Sequence, residues 1–141
     1  MLNVRLKYLE FENTIFKIID KYYFTKYEKF YGVAVSGGPD SMCLLYVLSK
    51  WAEKKNKILY VFSFDNNLRQ ESSKELILVE KFCKKLNCNF IKIKWDKKPK
   101  TAIMEKARIA RYSHIAAKCN ENNIRTLFLG HHADAVSYTH L

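Results

Sequence analysis

Residues that break regular structure are scarce: the 141-residue chain has only two prolines and four glycines. Collagen-like repeats and Pro/Gly-rich linkers are therefore excluded, and no internal repeat or low-complexity stretch divides the chain. Long apolar runs are missing too. No stretch approaches the roughly 18 to 20 uncharged residues that a membrane-spanning helix requires. Met1 to Glu10 mixes charges into its apolar positions and has no small-residue cleavage site, so it does not read as a signal peptide. The expectation is a soluble, cytoplasmic protein with no membrane partner. Cysteine is confined to positions 43, 83, 88 and 119, and no two form C-x-x-C, which argues against zinc ribbons and redox dithiols. Such thiols, Cys43 and Cys119 on apolar helix patterns among them, read as small buried hydrophobes kept reduced in the cytosol. Acidic residues are few, 14 against 25 basic ones, for a net charge of +11. A surface of that sign attracts polyanions, although a lysine-biased composition also produces it.

What remains is ordinary globular material, 48% hydrophobic and 28% charged, long enough for one domain with a real core. Apolar residues recur at helical spacing through Phe11, Ile15, Ile18, Ile19 and Tyr22, predicting a helix from Phe11 to Phe24. Gly32 to Val35 reads as a short buried strand, Ser41 to Ala52 as a helix, and Ile58 to Phe64 as a second strand. Ser72 or Ser73 is placed to cap a helix running to Leu86. Phe90 to Ile93, Ala102 to Asn122 and Thr126 to Leu129 follow as strand, helix and strand. Strands separated by helices of this length imply βαβ crossovers. The fold class is α/β, a parallel sheet of about four strands with helices on both faces, in a Rossmann-like arrangement. Ligands of such sheets bind outside the carboxyl ends of the strands. That directs attention to the loops after Val35, Phe64, Ile93 and Leu129.

The first of these loops is the most informative. Val33-Ala34-Val35-Ser36-Gly37-Gly38-Pro39-Asp40-Ser41 runs from strand through turn to helix. A helix N-terminus offers N–H groups and partial positive charge to an anion. Gly37 and Gly38 let the backbone approach phosphate oxygens closely. Ser36 and Ser41 carry hydroxyl donors, and Pro39 loses no hydrogen bond that the helix needs. Asp40 is the unusual member, a carboxylate suited to holding a divalent metal or to capping N–H groups. The pattern is neither a Walker A loop nor a G-x-G-x-x-G fingerprint.

This SGGxDS stretch resembles the motif of the PP-loop ATP pyrophosphatases, and its proline variant is similar to that of the tRNA(Ile)-lysidine synthases. Asp65-Asn66-Asn67-Leu68-Arg69-Gln70-Glu71-Ser72 resembles that family's D-H-x-L-R-x-x-S segment. Ala107-Arg108-Ile109-Ala110-Arg111-Tyr112 resembles its A-R-x-x-R-Y helix, and Gly130-His131-His132-Ala133-Asp134 its H-H-x-D segment. The likeness spans residues 11 to 134.

The resemblance implies a cytoplasmic ligase that uses ATP and Mg²⁺ to join free L-lysine to C2 of the wobble cytidine of an isoleucine tRNA. It implies that Ser36, Gly37, Gly38, Pro39, Asp40 and Ser41 hold the phosphates, with Asp40 also the metal candidate. Asp40, His131, His132 and Asp134 are then the catalytic candidates; Asp65, Arg69, Arg108 and Arg111 face ATP or tRNA. In the flavodoxin-like strand order that the resemblance implies, strand four lies beside strand one, bringing the two histidines near Ser36. The oligomeric state stays open, a homodimer included.

Two departures accompany the likeness. Asn66 stands where the family usually has His, which keeps hydrogen bonding but not acid–base capacity. The family continues H-H-x-D-D-x-x-E-T, whereas Ala135-Val136-Ser137-Tyr138-Thr139-His140-Leu141 lacks the second carboxylate and the glutamate. The expected organisation is an incomplete PP-loop nucleotide-binding domain over 1–134, truncated after about four strands, with a foreign tail over 135–141. Rival readings are a tRNA thiolase, disfavoured by the lack of C-x-x-C, an amidating synthetase, and an inactive ATP-binding fragment.

Overall fold

The computed structural model describes residues 2–66, 70–96, 100–129 and 137–139. Elements alternate along the chain as α1 (Leu2–Tyr22), β1 (Phe30–Ala34), α2 (Pro39–Lys55), β2 (Ile58–Asp65), α3 (Gln70–Leu86), β3 (Asn89–Lys94), α4 (Ile103–Glu121), β4 (Thr126–Leu129) and β5 (Ser137–Thr139). The sheet order is β3-β2-β1-β4-β5. The first four of these in space are mutually parallel, with Ala34 paired to both Phe62 and Leu129. β5 pairs antiparallel with β4, Leu127 opposite Tyr138. The expected α/β class and the adjacency of the first and fourth strands are therefore found. The order itself is the Rossmann type, 3-2-1-4, and not the flavodoxin type.

Helix placement follows from that order. α2 and α3 carry the chain outward from β1 to β3 on one face, and α4 returns it to the far side of β1 on the other. On the first face Phe16, Ile19, Tyr31, Val33, Leu45, Leu48, Trp51, Val61, Val79 and Cys83 form one core, with α1 joining α2 and α3. On the second, Phe62, Ile93, Ile115, Cys119, Ile124, Leu127 and Leu129 form a smaller one beneath α4 alone. Gly32 in the central strand permits this contact: a Cβ there would meet Phe62 at 3.1 Å and Leu127 at 3.2 Å.

Trp51 anchors the larger core. It is fully buried, its indole N–H donates to Asp20 Oδ1 at 2.9 Å, and its ring meets Tyr31 edge-on at 5.0 Å. Asp20 in turn pairs with Lys55 at 3.2 Å, so α1 is fastened to α2 by packing and by a satisfied polar bridge.

The three crossover helices share one ending. Asn56, Asn87 and Asn123 each adopt left-handed backbone, with φ of 57°, 57° and 59°. The next N–H in each case reaches back five residues, Lys57 to Ala52 at 2.8 Å, Cys88 to Cys83 at 3.0 Å and Ile124 to Cys119 at 2.8 Å. Asparagine is the side chain other than glycine that tolerates this conformation best, which is how a glycine-poor chain closes its helices.

Several local expectations change. α1 starts well before Phe11, and Phe11, Ile18 and Tyr22 are exposed, while Phe16 and Ile19 face the core. α3 begins at Gln70, upstream of Ser72 and Ser73, so neither serine is its cap. Cys43 is exposed, not buried; Cys83 and Cys119 are buried and Cys88 is intermediate. Burial raises the Cys83 and Cys119 thiols to about 12, Cys83 with smaller contributions from Cys88 and Glu80. Burial also raises Cys88 to about 11. No described helix is long and apolar enough to cross a membrane.

Candidate nucleotide site

β1 stops at Ala34 and α2 begins at Pro39, leaving Val35 to Gly38 to make the turn. Val35 prolongs the ladder, donating its N–H to Phe62 O at 2.9 Å and accepting from the buried Ser63 hydroxyl at 2.7 Å. Gly37 then takes φ of +98°, a conformation that L side chains rarely adopt, with the Glu75 Cβ 3.2 Å from where its own Cβ would stand. Gly38 is the N-cap of α2 in extended backbone and Pro39 opens the helix, as the fixed proline φ favours. Asp40 therefore lies in the first turn and not at the cap.

The two serines lock this turn. Ser36 N–H donates to Ser41 Oγ at 3.2 Å, Gly38 N–H donates to Ser36 Oγ at 3.3 Å, and Ser41 Oγ donates to Gly38 O at 3.1 Å. The two hydroxyls lie 3.2 Å apart. Ser41 is buried at 3% exposure and spends its only proton inside the loop, so it shapes the turn. Ser36 is exposed, and its hydroxyl can swing to an incoming oxyanion for the loss of two long contacts, with Gly38 N–H and Ser41 Oγ. The first intrahelical bond is Met42 N–H to Gly38 O at 3.0 Å. The positive end of α2 thus points at the space above β1.

That space is a cavity of about 200 Å³ lined by Ala34, Val35, Ser36, Ser41, Phe62, Phe64, Asn66, Glu75, Leu76, Arg111, Tyr112, Ile115 and Leu129. It sits at the carboxyl ends of β2, β1 and β4, beside the point where the connections reverse direction. Its floor is apolar and aromatic; its polar groups are two hydroxyls, an amide, one carboxylate, one guanidinium and a phenol. Such a mixture suits a planar, partly apolar ligand that carries an anionic group.

Of the residues singled out from sequence, Ser36, Ser41 and Arg111 meet in this cavity, with Gly37, Gly38, Pro39 and Asp40 completing the turn. Asp65 is buried at 3% exposure at the end of β2, and its carbonyl accepts Trp95 N–H at 2.8 Å. It is absent from the lining, and its neighbour Asn66 is there instead. Arg108 lies one turn outward from Arg111, their guanidinium carbons 5.9 and 4.9 Å from the Tyr112 ring centroid. Arg69, His131, His132 and Asp134 lie outside the described residues.

Glu75 is the member that sequence reasoning missed. It comes from α3, is exposed, and its Cβ stands 3.2 Å from where a Gly37 Cβ would lie. Among the described residues no group of three or more His, Cys, Asp or Glu could hold a metal ion. The carboxylates near the turn are Asp40, in the first turn of α2, and Glu75, beside Gly37; a Mg²⁺ that arrives on phosphates takes only one or two carboxylates from a protein.

Residues 8–141 match the PP-loop domain family. The chain belongs to the PP-loop family. Within that family it is similar to the tRNA(Ile)-lysidine synthase of Rickettsia akari (strain Hartford), 37% identical over 128 residues, which is 90% of this chain and 29% of that protein. The enzyme of the same name from Orientia tsutsugamushi (strain Boryong) is 36% identical over 105 residues, 74% of this chain and 24% of that protein. The chain thus spans less than a third of the length of these curated relatives. The U34-tRNA thiolase NcsA from Methanococcus maripaludis shares the PP-loop fold, with a TM-score of 0.71 over 86% of this chain and 46% of that one, at 16% identity.

Proposed function

We propose that this PP-loop domain binds ATP and serves the activation of tRNA for lysidine formation. The C2 oxygen of the wobble cytidine of an isoleucine tRNA attacks the α-phosphorus of ATP, and the bond to pyrophosphate breaks. The ε-amine of free L-lysine then forms the new bond to C2, and the C2–O bond breaks with departure of AMP. A ring carbonyl oxygen is a poor leaving group, and attachment of AMP makes it a good one. The observation that carries this reading is the serine-locked turn Ser36 to Ser41, which holds the N-terminus of α2 open over the cavity.

Positioning and charge stabilisation are what the protein contributes to such a transfer. The turn holds the pyrophosphate portion in the nest of Gly37 and Gly38, with the Ser36 hydroxyl turned to an oxygen. Arg111 supplies positive charge to the cavity wall, and Arg108 and Arg69 are assigned to phosphate of ATP or tRNA. Phe62, Phe64 and Tyr112 exclude water from one side. Asp65 helps place the adenosine or the target base through the β2 end that it fixes. On the family resemblance one of His131 and His132 donates to the α-phosphate, and Asp134 meets the metal or the lysine amine. That amine has an ordinary pKa of about 10.4 and must lose a proton before it attacks. Mg²⁺ held by Asp40, with Glu75 beside it, would neutralise phosphate charge.

Calorimetry with MgATP tests the binding half: the chain is expected to bind ATP, and Ser36→Ala and Asp40→Ala to weaken it. Unaltered affinity in both variants would remove the turn from the site. Pyrophosphate release tests the chemistry: the isoleucine tRNA alone is expected to give no more than a single equivalent, and continued release is expected only when lysine is present as well. Release with sulfide and another tRNA would assign the domain to thiolation instead.

A further inference from the structure

The inward face of α4 does not end where the sheet does. Ile115 is buried against Phe62, Leu127 and Leu129. Met104, Arg108 and Arg111 stand eleven, seven and four residues before it, on one line of the helix. Tyr112 and Ile115 already border the cavity with Phe64 and Leu129 at the strand ends. α4 runs antiparallel to the strands, so its earlier turns overhang the cavity mouth, Arg108 about 6 Å and Met104 about 12 Å beyond Tyr112. Met104 is 72% exposed, an unbranched apolar side chain on the face of the helix that is buried one end further along. Arg108 is exposed, with its guanidinium over Tyr112. The chain has five arginines against twenty lysines, yet two of those arginines occupy this single turn.

We infer that these overhanging turns are the wall on which an unpaired RNA strand lies as it enters the cavity, Met104 against a base and Arg108 against backbone phosphate. The occupant follows from charge and shape. Guanidinium groups in a fixed fork match phosphate, the whole chain carries +11, and an apolar contact beside them suits the face of an unstacked base. A paired duplex hides its base faces and leaves Met104 without a partner. This inference rests on the tRNA-modifying reading above and adds the surface by which the strand is led in.

The test is fluorescence anisotropy with the anticodon stem-loop of an isoleucine tRNA, and with a hairpin whose loop nucleotides are paired. Met104→Ala is expected to weaken stem-loop binding about fivefold and leave the salt dependence unchanged. Arg108→Ala should weaken it about tenfold and lower the slope of log affinity against log salt by about one. Ile109→Ala, equally apolar and 61% exposed on the outer side of α4, should do neither. The paired hairpin should not distinguish Met104→Ala from the unaltered chain. Failure of the unaltered chain to bind the stem-loop, or equal losses for Met104→Ala and Ile109→Ala, overturns the inference. Thermal melts of the same variants, all at exposed positions, exclude unfolding as the cause. ATP calorimetry on the same samples keeps the two readings apart. Absent ATP binding with the RNA pattern intact defeats the nucleotide assignment, and intact ATP binding without the RNA pattern defeats the wall.

Discussion

The two faces of the sheet are built to different standards. One is closed by α1, α2 and α3 over a core that runs from Phe16 through Trp51 to Cys83. The other has α4 alone, and its core runs out into the cavity through Ile115, Leu129 and Phe62. The heavily covered face meets the cavity only at its rim, through Val35, Ser41, Glu75 and Leu76, and the rest of it can be packed for stability. The lightly covered face shares its residues between packing and ligand contact, so substitutions there carry two costs.

The largest expected effect spares neither face. Cys83 belongs to one core and Cys119 to the other, and both are raised by burial to about 12. In the unfolded chain these thiols ionise near pH 9, whereas in the folded protein they stay protonated. Stability from this source is therefore complete below about pH 9 and is lost as pH rises toward 12, by at most about 1.4 kcal/mol per pH unit for each thiol. Urea titrations at pH 8 and pH 10.5 check this; Cys83→Ala and Cys119→Ala should each flatten the decline. No loss on going alkaline would remove the buried-thiol argument.

Trp51→Ala breaks the comparison from the covered side. It is expected to cost about 3–5 kcal/mol, read from the denaturation midpoint, with the ATP affinity of the remaining folded molecules unchanged. Ile115→Ala tests the open side. A cost of about 2–4 kcal/mol is expected, together with weaker ATP binding, because the same side chain lines the cavity. If Ile115→Ala altered stability alone, the two faces would not differ as described.

Gly37→Ala and Gly38→Ala sharpen the comparison at the turn itself. The first forces a methyl group into left-handed backbone against Glu75 and should cost about 1–2 kcal/mol, with ATP binding weakened about tenfold or more. The second, in extended backbone with Ser36 Oγ at an ordinary 3.6 Å, should leave stability nearly unchanged. The smallest effect concerns thiol chemistry: Cys43 alone among Cys43, Cys83 and Cys119 should react quickly with an aromatic disulfide reagent at neutral pH. Prompt labelling of Cys83 or Cys119 would show their cores to be open.

The turn between β1 and α2 was legible because its signal is local: two glycines, a proline and two serines between an apolar strand and an amphipathic helix. β4 was legible to the residue, Thr126 to Leu129, as a threonine and three apolar residues between Arg125 and Gly130. Glu75 was not, since its position beside Gly37 depends on where α3 lands on the sheet, and nothing in its own neighbourhood sets it apart from other surface glutamates. The buried stripe of α1 was misjudged for a related reason. Phe11, Ile15, Phe16, Ile18, Ile19 and Tyr22 cover more than one side of the helix, so periodicity establishes a helix without selecting which side meets Trp51. Arg108 and Arg111 were found as a pair, but their unequal depth comes from the overhang of α4, which is a property of the sheet's length.

The asparagine corners at 56, 87 and 123 all lie on the edge away from the cavity, each turning the chain within a few residues into the following strand. Short, hydrogen-bonded reversals leave strand alignment no slack on that side. Lengthening or rewriting the loops at the opposite edge, from Val35 to Gly38 or after Asp65, then changes what is recognised without sliding one strand past another. The architecture separates the part that keeps the sheet in register from the part that can diversify.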